Sequence, residues 1–230
     1  LKHKLHTLLA LDFDVCALQE VDVSECDVQW LKAQAVSAGY TLVFSSSVNM
    51  ATGEGLTMGR RAAILCKGPA VLAVIAPSDD ADCQTLLATG RWVEVLIPVG
   101  DGLGHVLAAS AYGYSGASSA SDEYTKNETL AMHMVARLNH DPRVPYLLGT
   151  DFNVDPLDSE VLALAVTNGA VFDLPCHWVA GGLPPPTFHK DNVFDGMEGG
   201  TRIDTVLSNY AASHSCLNFW YDWAQSAGYD

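Results

Sequence analysis

Positive charge is what this chain has least of. Lysine and arginine together number 12 in 230 residues, against 27 aspartates and glutamates, for a net charge of −15. That scarcity excludes the basic stripe that usually tracks a nucleic-acid backbone. It leaves room for an acidic pocket in which a metal ion supplies the local positive charge. The six cysteines (Cys16, Cys26, Cys66, Cys83, Cys176 and Cys216) include no C-x-x-C pair, which argues against zinc. Cys16 and Cys66 sit inside the apolar runs DVCAL and AILC, as small buried hydrophobes do, and the spacing demands no disulfide. No apolar run approaches the length of a membrane span. There is no internal repeat and no low-complexity tract. The first residue is Leu1 rather than Met, within a helical pattern, so the sequence is expected to be clipped and no leader peptide can be read from it.

What is present is apolar. Hydrophobic residues make up 49% of the chain, which sets it apart from disordered sequences. The length allows one large domain or two small ones. The longest loop, near residues 180–200, is too short to link two halves of this size, so a single domain over 1–230 is expected. Helical spacing predicts helices in the opening LKHKLHTLLALD, in ECDVQWLKAQAVSAG behind a Ser24 cap, in SDEYTKNETLAMHMVARLNH, and from Pro156 to Asn168. Strands are predicted in FDVCALQE, YTLVFS, RAAILC, PAVLAVIA, HVLAASAYG, PYLLGTD, RIDTVLS and CLNFWYDW. CQTLLATGRWVEVLIPV reads as two strands about Thr89-Gly90, and SVNMATGEGLTMGR as a glycine-rich loop. Strands with few helices between them, then strands alternating with helices, give a mixed α/β layered fold.

Polar residues recur where these apolar strands end. Glu20 closes one, Tyr112 another, Asp151 and Asn153 follow PYLLGT, and Arg202 and Asp204 open RIDTVLS. In layered α/β folds, sites collect beyond strand ends. Carboxylates with few basic neighbours suit a hard cation such as Mg²⁺, which is held by one or two carboxylates, water and a substrate phosphate. Each residue also has a plainer reading. Glu20 fits a helix-entry acid, Asp151 and Asn153 an Asx turn, Tyr112 a core edge, and Arg202–Asp204 a same-face ion pair.

The ordered set ALQEV, AYG, GTDFN and RIDTVLS resembles the endonuclease/exonuclease/phosphatase superfamily over nearly the whole chain. That group includes pancreatic-type deoxyribonucleases, apurinic endonucleases, inositol-polyphosphate phosphatases and retrotransposon endonucleases. The resemblance implies a four-layer α-β-β-α sandwich of two mixed, mostly antiparallel sheets, here lacking a first strand that carries an Asn. It implies that Glu20 binds Mg²⁺ (or Mn²⁺), that Tyr112 contacts the scissile phosphate, and that Asp151 activates the attacking water with Asn153 beside it. It implies that Asp204 orients a C-terminal histidine. Asp230 then stands either as the metal-site Asp just before that histidine or as a frayed end. Thr187, His189 and Arg202 are assigned to substrate contact, with His189 first of all a loop histidine, as is His177.

The expected activity is divalent-metal-dependent hydrolysis of a phosphodiester, with nucleic acid or another phosphate ester as the partner. A fused reverse transcriptase, a monomeric domain and an intracellular setting complete the expectation. The alternatives are a catalytically dead relic or binding module of the same fold, and a small-molecule or inositide phosphatase.

Overall fold

The computed structural model describes residues 1–2, 4–11, 13–52, 55–68, 80–99, 104–117, 121–178, 187–189 and 200–215. The chain begins with α1 (Leu5–Leu9), β1 (Val15–Leu18), β2 (Val23–Ser24) and α2 (Glu25–Ser37). The strands β3 (Tyr40–Phe44), β4 (Val48–Thr52), β5 (Gly55–Arg60) and β6 (Ala63–Lys67) follow. Then come α3 (Ala81–Ala88), β7 (Trp92–Pro98), β8 (His105–Tyr112), α4 (Asp122–Leu138), β9 (Tyr146–Asp151) and α5 (Glu160–Thr167). The last described elements are β10 (Phe172–Asp173), α6 (Leu174–Trp178), β11 (Phe188–His189), β12 (Gly200–Thr201), β13 (Asp204–Ser208) and α7 (Tyr210–Ser215).

Two sheets carry the fold. One has the order β1-β6-β3 and the other β10-β13-β9-β8-β7. Every pairing in them is antiparallel except β8 with β9, which the crossover helix α4 joins in parallel. Small sheets β2-β5-β4 and β11-β12 lie outside this pair.

Three apolar clusters show how the layers stack. Val28, Leu31 and Ala35 of α2 pack with Tyr40, Leu42, Ala63 and Leu65 on one face of the first sheet. Val43, Ile64 and Cys66 meet Val93, Val95 and Ala108 between the sheets. Leu86, Leu130, Met134, Leu138 and Leu162 from α3, α4 and α5 cover the far face of the second sheet with Trp92, Tyr146 and Leu148. The alternation along each strand therefore feeds two different cores, and the architecture is the expected α-β-β-α sandwich.

The sheets approach closely near the site. A Cβ on Gly149 would stand 2.6 Å from the Ala17 Cβ, so β9 tolerates only glycine opposite β1 at that point. Beside it, Gln19 Nε2 donates to Ser110 Oγ at 2.9 Å and to the Gly149 carbonyl at 3.1 Å. Ser110 Oγ in turn donates to the Leu18 carbonyl at 2.9 Å. These bonds staple the end of β1 to the second sheet.

Several expectations need correction. The glycine-rich segment after Ser47 is a hairpin, β4 paired with β5 in register from Val48↔Gly59 to Thr52↔Gly55. CQTLLATG is helical rather than a strand, since Asp80 caps α3 by accepting from the Cys83 amide at 3.0 Å. α1 and α5 are shorter than their apolar patterns, and Ser159 sets the start of α5 by accepting from the Leu162 amide. Ser24 does occupy the N-cap of α2, but its hydroxyl goes to the Asp27 carboxylate at 2.9 Å. The strands expected in PAVLAVIA and CLNFWYDW lie outside the described residues. Among the described residues, no helix is long and apolar enough to cross a membrane.

Candidate active site

Strand register brings three of the predicted residues into one row. Asp151 at the end of β9 pairs with Tyr112 at the end of β8 on one side and with Asp204 at the start of β13 on the other. Registered neighbours project from the same face of a sheet. Here that face looks toward β1, because Gly149, two residues before Asp151, is the position pressed against Ala17. Glu20 arrives from the first sheet. Its φ of 49° is left-handed backbone, uncommon for a residue with a side chain and costing on the order of 1 kcal/mol. The turn aims the carboxylate across the gap, where Tyr112 Oη donates to Glu20 Oε1 at 2.6 Å.

Asn153 does not share an extended face with Asp151. The strand stops at Asp151, and Asn153 has φ 58° in the turn that follows. Its backbone amide donates to Asp151 Oδ1 at 3.1 Å, which is the Asx turn, and its Nδ2 donates to the Gly113 carbonyl at 3.4 Å. The turn reading and a site role therefore coexist: the turn is what holds both side chains at the strand exit.

The loop after Tyr112 is fixed from beneath. Asn127 of α4 is fully buried, accepts from the Tyr114 amide at 2.7 Å, and donates to the Tyr114 and Phe152 carbonyls. A Cβ on Gly113 would come within 2.2 Å of the Phe152 carbonyl oxygen, which explains the glycine of AYG. Arg91 donates to the carbonyls of Tyr112 and Gly113. Its guanidinium carbon lies 5.0 Å from the centre of the Tyr112 ring and 4.0 Å from that of Tyr114. Arg60, Arg61, Arg137, Arg143 and Arg202 each have a carboxylate at ion-pair distance. Among the described residues, Arg91 is the one arginine with no carboxylate at that distance. Gln19, Asn127 and Arg91 escaped the sequence reading. Gln19 lies inside LQE, but contacts spanning 130 and 25 residues leave no local signal.

Two residues assigned to substrate have partners within the protein. Arg202 is buried, with Nη1 and Nη2 on the two carboxylate oxygens of Asp173 at 3.0 and 2.6 Å, and it also donates to Thr205 Oγ1. Asp155, two residues after Asn153, lies 3.5 Å away. Arg202 thus braces the strand that begins with Asp204, and it makes no ion pair with that residue. Thr187 Oγ1 accepts from the Ile203 and Asp204 amides at 3.1 and 3.0 Å, so it shapes the turn into β13. His177 packs edge-on to Phe172 with ring centres 5.9 Å apart. Asp230 and the His189 side chain lie outside the described residues.

The row is electrostatically unbalanced. Asp151 is 8% exposed, and burial first, then the Asp204 charge, push its carboxyl up to about 7. The Asn153 amide and Arg91 oppose this and do not offset it. Asp204 is also pushed upward by desolvation and by Glu20, but it stands at the solvent edge of the site, so Asp151 is the more strongly perturbed group. Burial and the bond to Glu20 raise the Tyr112 phenol to about 12, which keeps it a proton donor.

Glu20, Asp151 and Asp204 act on one another as like charges, and oxygen donors of this kind are the type a hard divalent cation takes. Among the described residues, no group of three Asp, Glu, His or Cys side chains is placed to hold a metal ion. Any cation held here would have at most two of these carboxylates as ligands, a number that Mg²⁺ accepts when water and a substrate phosphate supply the rest.

No family model matches the sequence, and no curated protein matches it either. Solved structures do match. An AP endonuclease from Archaeoglobus fulgidus superposes with a TM-score of 0.66 at 17% identity, covering 96% of this chain and 87% of that one. The 3′ phosphatase NExo from Neisseria, solved with a product DNA hairpin, gives 0.63 at 18% identity over 93% and 83%. The human Nocturnin catalytic domain gives 0.61 at 14% identity over 90% and 73%. The chain has the endonuclease/exonuclease/phosphatase fold. In the endonuclease/exonuclease/phosphatase sandwich seen here, the row of Tyr112, Asp151 and Asp204 lies at one end of the paired sheets, facing Glu20.

Proposed function

We propose that this domain hydrolyses phosphoesters with the help of a divalent cation, and that its substrates are phosphodiesters, foremost those of nucleic acid. The observation that carries the reading is Asp151, a buried carboxyl held near neutrality beside a second acid and next to an Asn amide. A group that titrates near neutral pH is suited to take a proton from water. Asp151 fills that role, and Asn153 Nδ2 donates to a phosphate oxygen. Tyr112, protonated throughout, gives its one proton to Glu20 here and would donate to another phosphate oxygen once a bound cation occupies that carboxylate. Arg91, free of carboxylate partners among the described residues, faces the charge of the phosphate from beside Tyr112. Glu20, with Asp151 or Asp204, would hold Mg²⁺ or Mn²⁺, which when bound neutralises phosphate charge and polarises the ester.

A second reading is favoured by one specific observation, the lack of a three-group metal cluster among the described residues. Under it, the fold binds phosphate-bearing ligands without turning them over. The two separate on purified protein given Mg²⁺ or Mn²⁺, with plasmid DNA, RNA, bis(p-nitrophenyl) phosphate and phosphomonoesters as substrates. Hydrolysis abolished by EDTA and reduced by Asp151→Asn by roughly a hundred-fold or more supports catalysis. Phosphomonoester cleavage with intact plasmid moves the substrate to small phosphates. No turnover of any substrate leaves the binding module.

A further inference from the structure

A second concavity lies between α3 and α4, outside the row of carboxylates, with a volume of about 170 Å³. Leu86 and Leu130, both buried, line it together with Tyr114. Thr129, Lys126 and His133 also line it. The Thr129 hydroxyl donates to the Thr125 carbonyl within α4, so that rim offers an acceptor and a methyl group more readily than a donor. His133 Nδ1 is 2.6 Å from Asp82 Oδ1, which leaves Nε2 as the other hydrogen-bonding atom of the ring.

Charge gathers at the Tyr114 end. Lys126 Nζ is 5.7 Å from the centre of the Tyr114 ring and 3.7 Å from Glu123, and the Arg91 guanidinium carbon is 4.0 Å from the same ring. Two cations about one aromatic side chain stand out in a chain with a net charge of −15. The same guanidinium carbon is 5.0 Å from the Tyr112 ring, so the groove begins next to the active-site row. A pocket with an apolar floor, an aromatic wall, Lys126 in its lining and Arg91 against the same tyrosine ring complements a flat, weakly polar body attached to an anion. A phosphate alone gains nothing from Leu86 and Leu130. An apolar side chain gains nothing from Arg91 and Lys126. A nucleotide matches both.

We propose that the α3–α4 groove binds the nucleobase of a nucleotide whose phosphate lies toward Arg91 and Lys126, adjacent to the scissile position. This rests on the phosphoester reading of the neighbouring site. The base packs against Tyr114, its edge reaches His133 Nε2, and recognition favours a base without demanding a particular sequence.

The test is equilibrium binding by isothermal titration, with AMP, ribose 5-phosphate and inorganic phosphate as probes. The protein is used as wild type, Thr129→Trp and Lys126→Ala, with thermal melts to confirm folding. AMP should bind roughly ten-fold or more tighter than ribose 5-phosphate, the effect of one base against an aromatic ring. Thr129→Trp should erase that gap by filling the groove. Lys126→Ala should weaken both ligands alike and preserve their ratio. Equal affinities for AMP and ribose 5-phosphate, no binding of AMP, or a gap that survives Thr129→Trp would overturn the proposal. A trinucleotide that outcompetes AMP identifies a strand as the source of the base, and the reverse order identifies free nucleotides; either supports the pocket. Hydrolysis of bis(p-nitrophenyl) phosphate by the wild type reports separately on the catalytic reading, so the two can fail independently.

Discussion

Two kinds of buried carboxylate occupy the same five-stranded sheet, and their surroundings differ. Glu94 on β7 lies under Arg137, whose Nε and Nη2 reach its two oxygens at 3.0 and 2.8 Å, while Tyr146 also donates to it. Arg137 Nη1 continues to Asp80 at 2.8 Å, joining α3 and α4 to the sheet. Asp173 on β10 has the same arrangement with Arg202. Asp151 on β9 has no such arginine pair; the Asp204 and Glu20 charges push its carboxyl up, and Arg91 opposes them without pairing with it. The matched carboxylates are ion-paired and serve the fold. The unmatched one is driven toward the neutral form. Buried carboxyls perturbed in this way cluster at functional sites, where a bound charge or a transferred proton relieves them.

The largest effect should come from unmatching a matched pair. Arg137→Ala leaves Glu94 buried and uncompensated, and should cost about 3–5 kcal/mol, read as a lowered urea midpoint. Adding Glu94→Gln should recover part of that loss.

Neutralising the unmatched group should act in the opposite direction. The Asp151 carboxyl has its ordinary value of 3.8 when unfolded and about 7 when folded. The native state therefore holds a proton that the unfolded chain has released, and the stability this contributes is lost as pH rises from about 3.8 to 7. Asp151→Asn, melted in EDTA, should be more stable than the wild type at pH 8 by roughly 2–4 kcal/mol, with the difference gone near pH 4. A destabilised variant at pH 8 would show that Asp151 is matched after all.

The smallest effect sharpens the contrast. Tyr112→Phe removes the hydroxyl's two hydrogen bonds, to the exposed Glu20 and to Ser115, and should cost only about 1–2 kcal/mol, read in the urea midpoint. If the proposed function holds, its loss of turnover will far exceed that cost.

Much of this was legible in the sequence because strand ends are local. PYLLGTD and HVLAASAY announce themselves as buried strands, and the acids and tyrosine at their exits sit at the one place a polar group can leave an apolar core. The errors arose where local pattern is ambiguous. An eight-residue apolar helix and an apolar strand look alike until a cap such as Asp80 is placed, and glycines hid the hairpin of β4 and β5 because they are disfavoured in most strands.

The sequence by itself determined the long apolar strands, the capped helices, their order and the identities of the acids, since these depend on short-range periodicity and chain connectivity. Only the tertiary structure decided which charges would be matched. Asp204 and Arg202 are two residues apart, yet one joins the site and the other pairs with Asp173. Glu94 and Asp151 both end up buried, yet only Glu94 receives an arginine, brought by a helix 43 residues away. Charge compensation falls off over a few ångströms in space, and distance along the chain carries no information about it.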